Sequence, residues 1–182
     1  MNGSDKPLDA YRQLVERLDA FFERVRRRHP DLIRCGPGCD TCCHRDLSLH
    51  PFEAELLAEA ATRLAPPAQE RVLGRARRAL QDPEVPCPLL EEGRCMLYDA
   101  RPVICRTHGL PMLVPGEDSV SLCPFNFQGA LEIGGTCVLD LMPVNKILAT
   151  VQTMLAGRAR ARTERVQVSR ALLQRLAPQK AR

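Results

Sequence analysis

Apolar residues recur at alternating spacings of three and four near the start of the chain and predict an amphipathic helix over residues 8–29. Asp5 is placed to cap this helix, and Pro7 suits its first turn. Arginines crowd its far end, where cations interact favourably with the helix dipole, so we interpret them as a solvated helix end rather than a nucleic-acid contact. The apolar stripe consists of Leu8, Tyr11, Val15, Leu18, Phe22 and Val25.

The same pattern predicts three more helices, each with a proline near its start, over about residues 48–64, 66–80 and 143–157. Gly157 is a typical residue to end the last of them. The first two helices lie between two groups of cysteines in the sequence. We therefore expect them to bring those groups together.

Residues 83–112 are rich in proline and glycine and are expected to be irregular. Within this stretch, residues 91–93 (Glu-Glu-Gly) predict a turn between short extended pieces. Asp99 is placed to cap a short helix that starts within residues 98–102 and carries Cys105 on its first turns. The chain is thus predicted to be mainly α, a small helical domain around an irregular cysteine-rich metal-binding core with short β pieces.

The chain has 182 residues, which predicts one compact unit built from three parts. Residues 1–30 form an N-terminal helix packing on the core, residues 31–137 a cysteine-cluster metal-binding domain, and residues 138–182 C-terminal helices with a basic tail. After Gly157 the tail carries eight lysines and arginines against one acid, in a chain whose net charge is +4. No aromatic residue interleaves these cations to stack on bases, so we expect a solvated, partly helical tail and treat nucleic-acid contact as the weaker alternative.

Nine cysteines determine the predicted chemistry, and four of them fall within residues 35–43. The first fourteen residues are polar and charged, and no stretch approaches the ~20 apolar residues of a membrane span, so we expect a cytoplasmic protein with no membrane contact. Disulfides are rare in a reducing cytosol, and a dense thiol cluster there indicates a metal or iron–sulfur site. Cys137 stands apart from the others and is interpreted as a core thiol.

Thiolates are soft ligands that select zinc, copper(I) or iron–sulfur clusters. Residues 36–38 (Gly-Pro-Gly) let the chain turn so that Cys35 and Cys39 can face one centre, and Cys39-x-x-Cys42 is a typical metal chelate. Radical S-adenosylmethionine enzymes share this spacing, but the helical context without a strand–helix repeat argues against that class. Eight thiols can make two structural four-cysteine zinc sites, one iron–sulfur cluster with spare ligands, or a shared polynuclear site.

Three motifs in order carry a family resemblance: C-x3-C-x2-C-C over residues 35–43, C-x-x-Y over residues 95–98 and R-P-x-x-C-R over residues 101–106. Together they resemble the bacterial CxxCxxCC family of YkgJ-type cysteine-cluster proteins, although the first gap here is three residues long. The resemblance implies a zinc- or iron-chelating domain whose cofactor is an iron–sulfur cluster or zinc. By that resemblance the metal ligands are Cys35, Cys39, Cys42, Cys43, Cys87, Cys95, Cys105 and Cys123.

Other polar residues near the thiols are expected to support the ligands rather than bind the metal. We expect Tyr98, Arg101 and Arg106 behind the ligands, where an arginine such as Arg106 can offset part of the negative charge of the thiolates. His44 and His108 are expected at the surface or behind the ligands, because the cysteines already fill the coordination.

Two classes of function follow from this ligand set. The first is a metal-binding module with a redox, chelating or scaffold role, whose partners are metal ions and a protein bound through the helices. The second is an enzyme or accessory subunit whose cluster supports a modification such as protein methylation, since similar modules are attached to flagellin lysine methylases. The sequence has no glycine-rich nucleotide loop and no Ser/His/Asp spacing, so it favours the module and predicts no catalytic residues.

Overall fold

The computed structural model describes residues 5–36, 38–82, 84–130, 132–156 and 164–177. Within them the chain is mainly helical, and its strands are two residues long, which confirms the predicted fold class. The helices are α1 (Asp5–Arg28), α2 (Pro51–Ala61), α3 (Pro66–Ala79), α4 (Val103–Thr107), α5 (Leu141–Ala156) and α6 (Val168–Leu176). The strands are β1 (Ser48–Leu49), β2 (Leu90–Glu91), β3 (Arg94–Cys95), β4 (Met112–Leu113), β5 (Val120–Ser121), β6 (Leu139–Asp140) and β7 (Val166–Gln167).

The chain divides into two compact units, each made of two segments. Unit 1 comprises Met1–Gly36 and Val103–Ala161, and unit 2 comprises Pro37–Pro102 and Arg162–Arg182. The predicted division into residues 1–30, 31–137 and 138–182 stays a prediction. None of the helices in the described residues is both long and apolar enough to cross a membrane.

Unit 1 is built on α1, which packs against α4 and α5. The predicted stripe of α1 faces this core: Leu18 is 4% exposed and Val25 is 1% exposed, and Leu14 joins them. The side chain of Asp5, the predicted cap, lies outside the described part of the structure. Gly157, the predicted end of the last helix, also lies outside it. A small sheet in the order β5-β4-β6 completes the unit, with β4 antiparallel to β5 and parallel to β6.

Unit 2 packs α2 and α3 against α6. Each of the first two helices starts at a proline, as predicted, because the fixed φ of proline suits a first helical turn and its missing N–H is not needed there. The core includes Val72 of α3 and Leu172 of α6, both fully buried. The antiparallel pair β1–β7 and a hydrogen bond from the Val168 N–H to the Leu47 carbonyl (2.9 Å) hold α6 in place.

The tail is predicted to be solvated and partly helical, and residues 164–177 do contain a helix, but one face of it is buried. The α6 helix within this stretch buries Val168, Ala171 and Leu172, while its arginines lie on the exposed side. Apolar residues at spacings of three and four give even this arginine-rich segment one face that can join a core. The rest of the predicted tail, residues 157–163 and 178–182, lies outside the described part of the structure.

The short helix predicted after Tyr98 is split in two, and the predicted cap on Asp99 stays a prediction. Residues 98–100 form one 3₁₀ turn that contains Asp99. Arg101 is then extended, with φ −58° and ψ 135°, because the ring of Pro102 disfavours helical backbone in the residue before it. The helix proper, α4, starts at Val103 and carries Cys105 on its first turn.

Candidate metal centre

All nine cysteines lie in described residues, and none of them forms a disulfide. The eight predicted ligands are half-buried, whereas Cys137 is 2% exposed, as expected of a core thiol. Cys137 contacts His29 of the same unit, with 3.3 Å between its sulfur and Nε2. Unit 1 contains Cys35, Cys105 and Cys123, and unit 2 contains Cys39, Cys42, Cys43, Cys87 and Cys95.

In unit 2, the adjacent Cys42 and Cys43 lie on a single 3₁₀ turn, residues 41–43. The turn is closed by the Cys43 N–H, which donates to the Asp40 carbonyl at 2.7 Å. The Cys43 carbonyl in turn accepts a hydrogen bond from the Cys87 N–H, also at 2.7 Å. This bond joins the first cysteine motif to a cysteine 44 positions further along the chain.

The second part of the unit 2 site is a hairpin formed by β2 and β3. Its two-residue turn consists of Glu92 (φ 49°) and Gly93 (φ 72°), and two positive φ angles are typical of the turn that matches strand twist. The predicted turn between extended pieces is thereby confirmed. The hairpin pairs Cys95 with Leu90, whose N–H bonds back to the Cys87 carbonyl at 2.9 Å, so both downstream cysteines of unit 2 belong to one small structure.

Arg75 of α3 holds this hairpin from outside. Its side chain is 18% exposed, and Nε donates to the Pro88 carbonyl at 2.8 Å. Nη1 donates to the Glu91 carboxylate at 3.1 Å, and Nη2 lies 3.1 Å from the sulfur of Met96. One turn earlier on α3, the more exposed Arg71 donates to the same carboxylate, and together the two guanidinium groups lower the pKa of Glu91 to about 2.

Burial raises the pKa of two of the thiols in unit 2. Burial raises the pKa of Cys87 to about 12, and the neighbouring Cys95 and Asp46 act in the same direction. Burial also raises the pKa of Cys95, with a smaller contribution from Cys42. Cys95 therefore lies within electrostatic reach of both Cys87 and Cys42. A metal that bound them would have to displace their protons.

Two of the residues predicted to support the ligands lie beside Cys95. Burial raises the pKa of the Cys95 thiol, and the positive charge of Arg101 offsets part of that rise. Its guanidinium stacks over the ring of Tyr98, with 3.4 Å between Cζ and the ring centroid, and Nε donates to the Tyr98 carbonyl at 2.8 Å. The stacking fixes a cation near a thiol, which is where a thiolate would benefit from it.

In unit 1, the thiol of Cys35 is in contact with two residues that sequence reasoning did not identify. Asn126 Nδ2 lies 3.3 Å from the Cys35 sulfur and donates to it. Gly109 follows the end of α4 with φ +94°, and a Cβ at this position would lie 2.3 Å from the same sulfur. The glycine therefore creates the space that the sulfur of Cys35 occupies.

The other two predicted ligands of unit 1, Cys105 and Cys123, lie a few residues before Gly109 and Asn126 respectively. Cys105 is on α4, four residues before Gly109 in the chain. Cys123 starts a turn in which its carbonyl accepts a hydrogen bond from the Asn126 N–H at 3.1 Å. Arg106 pairs with Asp19 of α1 at 2.6 Å, and its predicted place among the thiolates stays a prediction.

The two histidines near the cysteines have other contacts. His108 Nδ1 lies 2.9 Å from the Ile104 carbonyl one helical turn earlier. His44 Nε2 lies 3.4 Å from the Asp40 carboxylate, and its side chain is half exposed. The expected place of both histidines at the surface or behind the ligands stays a prediction.

The donor chemistry of this chain fits zinc or iron, since its candidate ligands are thiols and both zinc sites and iron–sulfur clusters are held by thiolates. Their arrangement is more open than a coordination shell. Across the described residues, no three His, Cys, Asp or Glu side chains gather closely enough to hold an ion.

A family comparison agrees with the chemistry of the donors. Residues 34–123 match the model of the CxxCxxCC family, described as a "putative zinc- or iron-chelating domain". The chain carries a CxxCxxCC domain. This confirms the resemblance seen in the three motifs, and the family description matches the predicted cofactor, zinc or an iron–sulfur cluster. No curated protein and no solved structure matches the chain.

The matched range of the CxxCxxCC domain includes all eight predicted ligands but excludes Cys137 and Asn126. The cysteines could be found in the sequence because their spacing repeats a metal-binding pattern. The role of Gly109 is harder to predict from the sequence, since glycine is common after any helix. The roles of Arg75 and Asn126 could not be predicted from the sequence, because their partners are not neighbours in the chain.

Proposed function

We propose that this protein is a metal-binding module in which cysteine thiolates hold an iron–sulfur cluster or zinc. The observation that carries the proposal is the bond between the Cys43 carbonyl and the Cys87 N–H, which joins the first cysteine motif to the hairpin. The thiol of Cys95 is within electrostatic reach of Cys87 and of Cys42. Unit 2 contains five cysteines, more than the four thiolate ligands that one tetrahedral zinc or one four-iron cluster requires.

The proposed ligands are the eight cysteines of the motifs, five in unit 2 and three in unit 1. Because no three ligand side chains are gathered in the described structure, binding has to turn thiol side chains towards the ion. The ion also has to release the protons of Cys87 and Cys95, whose pKa values burial raises. Metal affinity should therefore fall as the pH is lowered.

An enzyme or accessory subunit whose cluster supports a modification such as protein methylation is the second candidate. One observation favours it: a cavity of about 460 Å³ opens beside Cys95. Glu91, Glu92, Arg94 and Met96 line the rest of it, so its walls carry both charges.

The choice of cofactor is tested by measuring iron, zinc and acid-labile sulfide in the full chain, purified without oxygen and without added metal. Iron with matching sulfide and a broad visible absorption supports the cluster. A colourless protein with one zinc ion supports a single zinc site, and two zinc ions support the alternative of two structural zinc sites. A protein that contains neither metal contradicts the proposal.

Two alanine variants show whether the metal is bound where we propose. Cys42→Ala removes a proposed ligand and should lower the metal content. Cys137→Ala removes a buried thiol outside the proposed set and serves as the matched control. Equal metal content in both variants would contradict the ligand set proposed for unit 2.

We place the protein in the cytoplasm, because a reducing compartment keeps the thiols available to a metal. A protein partner bound through the helices and a nucleic acid bound through the basic tail stay predictions. The burial of one face of α6 leaves its arginines as the part of the tail that could meet a partner within residues 164–177.

A further inference from the structure

Asn126 is buried at 2% exposure, and its side-chain amide is held by two backbone groups of unit 1. Its Oδ1 accepts a hydrogen bond from the Arg34 N–H at 2.9 Å, and its Nδ2 donates to the Gly109 carbonyl at 2.6 Å. A backbone N–H can only donate and a carbonyl can only accept, so these two bonds fix which end of the amide is the nitrogen.

This orientation leaves the second hydrogen of Nδ2 for the sulfur of Cys35, which lies 3.3 Å away. Sulfur is a weak acceptor as a thiol and a much better one as a thiolate, because hydrogen bonds to ionised groups are stronger. The buried amide is thus aimed at Cys35 in the way that residues behind a metal ligand orient it.

Gly109 gives the contact its room. A Cβ there would lie 2.3 Å from the Cys35 sulfur and 2.9 Å from Asn126 Nδ2, distances at which something must move. Its φ of +94° is also one that other residues rarely adopt. Both features keep the position open for the sulfur.

We propose that Asn126 is a positioning residue that holds the sulfur of Cys35 for metal binding, while Gly109 keeps the space around that sulfur open. The inference rests on the proposed function, in which Cys35 is a ligand. Asn126 also ends the turn that starts at Cys123, since its N–H donates to the Cys123 carbonyl at 3.1 Å. One residue thereby links two of the proposed ligands of unit 1.

The test compares five forms of the full chain, all purified without oxygen: the wild type, Asn126→Asp, Cys35→Ser, the double variant and Gln128→Glu. Asn126→Asp keeps the size of the side chain but replaces the donor with an acceptor. Gln128→Glu makes the same chemical change on an exposed residue two positions away and is the matched control. Iron, zinc and sulfide are measured per chain, and a chelator is then titrated until half of the bound metal is lost.

We expect Asn126→Asp to lose its metal at a chelator concentration about 10- to 100-fold lower than the wild type, since residues behind a ligand typically have effects of this size. Gln128→Glu should match the wild type. If Asn126 acts through Cys35, the double variant should bind metal about as tightly as whichever single variant binds it less tightly. If Asn126 has a merely structural role, the fold-losses in metal affinity of the two single variants should multiply.

The inference would be overturned if Asn126→Asp held its metal as tightly as the wild type, or if the losses in metal affinity multiplied in the double variant. The proposed function would stand in either case. A wild type that contains neither iron nor zinc would overturn both. Circular dichroism checks that the variants fold. If Asn126→Asp does not, Gly109→Ala replaces it in the same cycle with Cys35→Ser, because the added Cβ displaces the same sulfur.

Discussion

Substituting Gly109 with alanine tests the packing around Cys35 most directly. The new Cβ would lie 2.3 Å from the Cys35 sulfur and 2.9 Å from Asn126 Nδ2. Overpacking of this kind typically costs about 1–3 kcal/mol, because the neighbours must shift into poorer positions. A left-handed backbone adds about 1–2 kcal/mol for any residue with a Cβ. Gly109→Ala should therefore lower the free energy of unfolding by about 2–5 kcal/mol.

Gly116 provides a control in the same unit. Its φ is +88°, close to the +94° of Gly109, but a Cβ there would meet nothing within 4 Å. Gly116→Ala therefore carries the backbone strain without the collision and should cost about 1–2 kcal/mol. The difference between the two variants isolates the contact with Cys35 and Asn126.

Urea unfolding of the metal-free proteins, followed by circular dichroism, measures these differences. The metal content of each variant should follow the same order, with Gly116→Ala close to the wild type and Gly109→Ala well below it. Equal unfolding free energies for the two alanine variants would refute the reasoning, because they would show that the sulfur of Cys35 does not occupy the space beside Gly109.

Three further predictions concern metal and unit 2. Removing the metal with a chelator should lower the midpoint of thermal unfolding and restoring it should reverse the change, since thiolate binding of zinc is worth about 10–16 kcal/mol in small domains; equal midpoints would contradict the proposed function. Because the pKa of Cys87 is raised from 9.0 to about 12, its contribution to the stability of the metal-free protein is complete below pH 9 and is lost as the pH rises towards 12. The unfolding free energy of the wild type, measured with urea, should therefore fall by up to about 4 kcal/mol between pH 9 and pH 12, and Cys87→Ala should lack this fall. The same pH dependence in both proteins would argue against burial of the Cys87 thiol. Arg75→Ala should cost about 1–3 kcal/mol in the same assay by leaving the Pro88 carbonyl without its partner, and Arg71→Ala should cost less because its side chain is exposed; the reverse order would show that Arg75 does not hold the hairpin.

The helices could be predicted from the sequence because their signals are local. The stripe of α1 recurs from Leu8 to Val25, and α2 and α3 each start at a proline, whose fixed φ suits the first turn of a helix. The turn of the hairpin was equally readable, since Gly93 readily adopts the positive φ that the two-residue turn needs. In each case the deciding residues lie within a few positions of the element they define.

The α6 helix shows where local reading fails. Its segment is rich in arginine, so composition predicts a solvated tail, while its buried positions, Val168, Ala171 and Leu172, are few. Their burial depends on α2 and α3, which lie about a hundred residues earlier in the chain. A short amphipathic pattern is compatible with either outcome, and only the apolar faces of its partners decide between them.

The candidate site also has one part that the sequence predicts and one part that depends on distant contacts. The identity and spacing of the cysteines point to the class of metal, because soft donors select soft ions whatever surrounds them. Which atoms hold each thiol depends on contacts across the chain: Asn126 is 92 residues from Arg34, and the Cys87 N–H bonds to Cys43. A motif can therefore name the ligands, but the residue that orients Cys35 lies outside the matched domain, in a segment with no metal-binding pattern of its own. If Asn126 acts as we propose, the metal affinity of this chain is set in part by a buried amide and a glycine, neither of which donates to the metal.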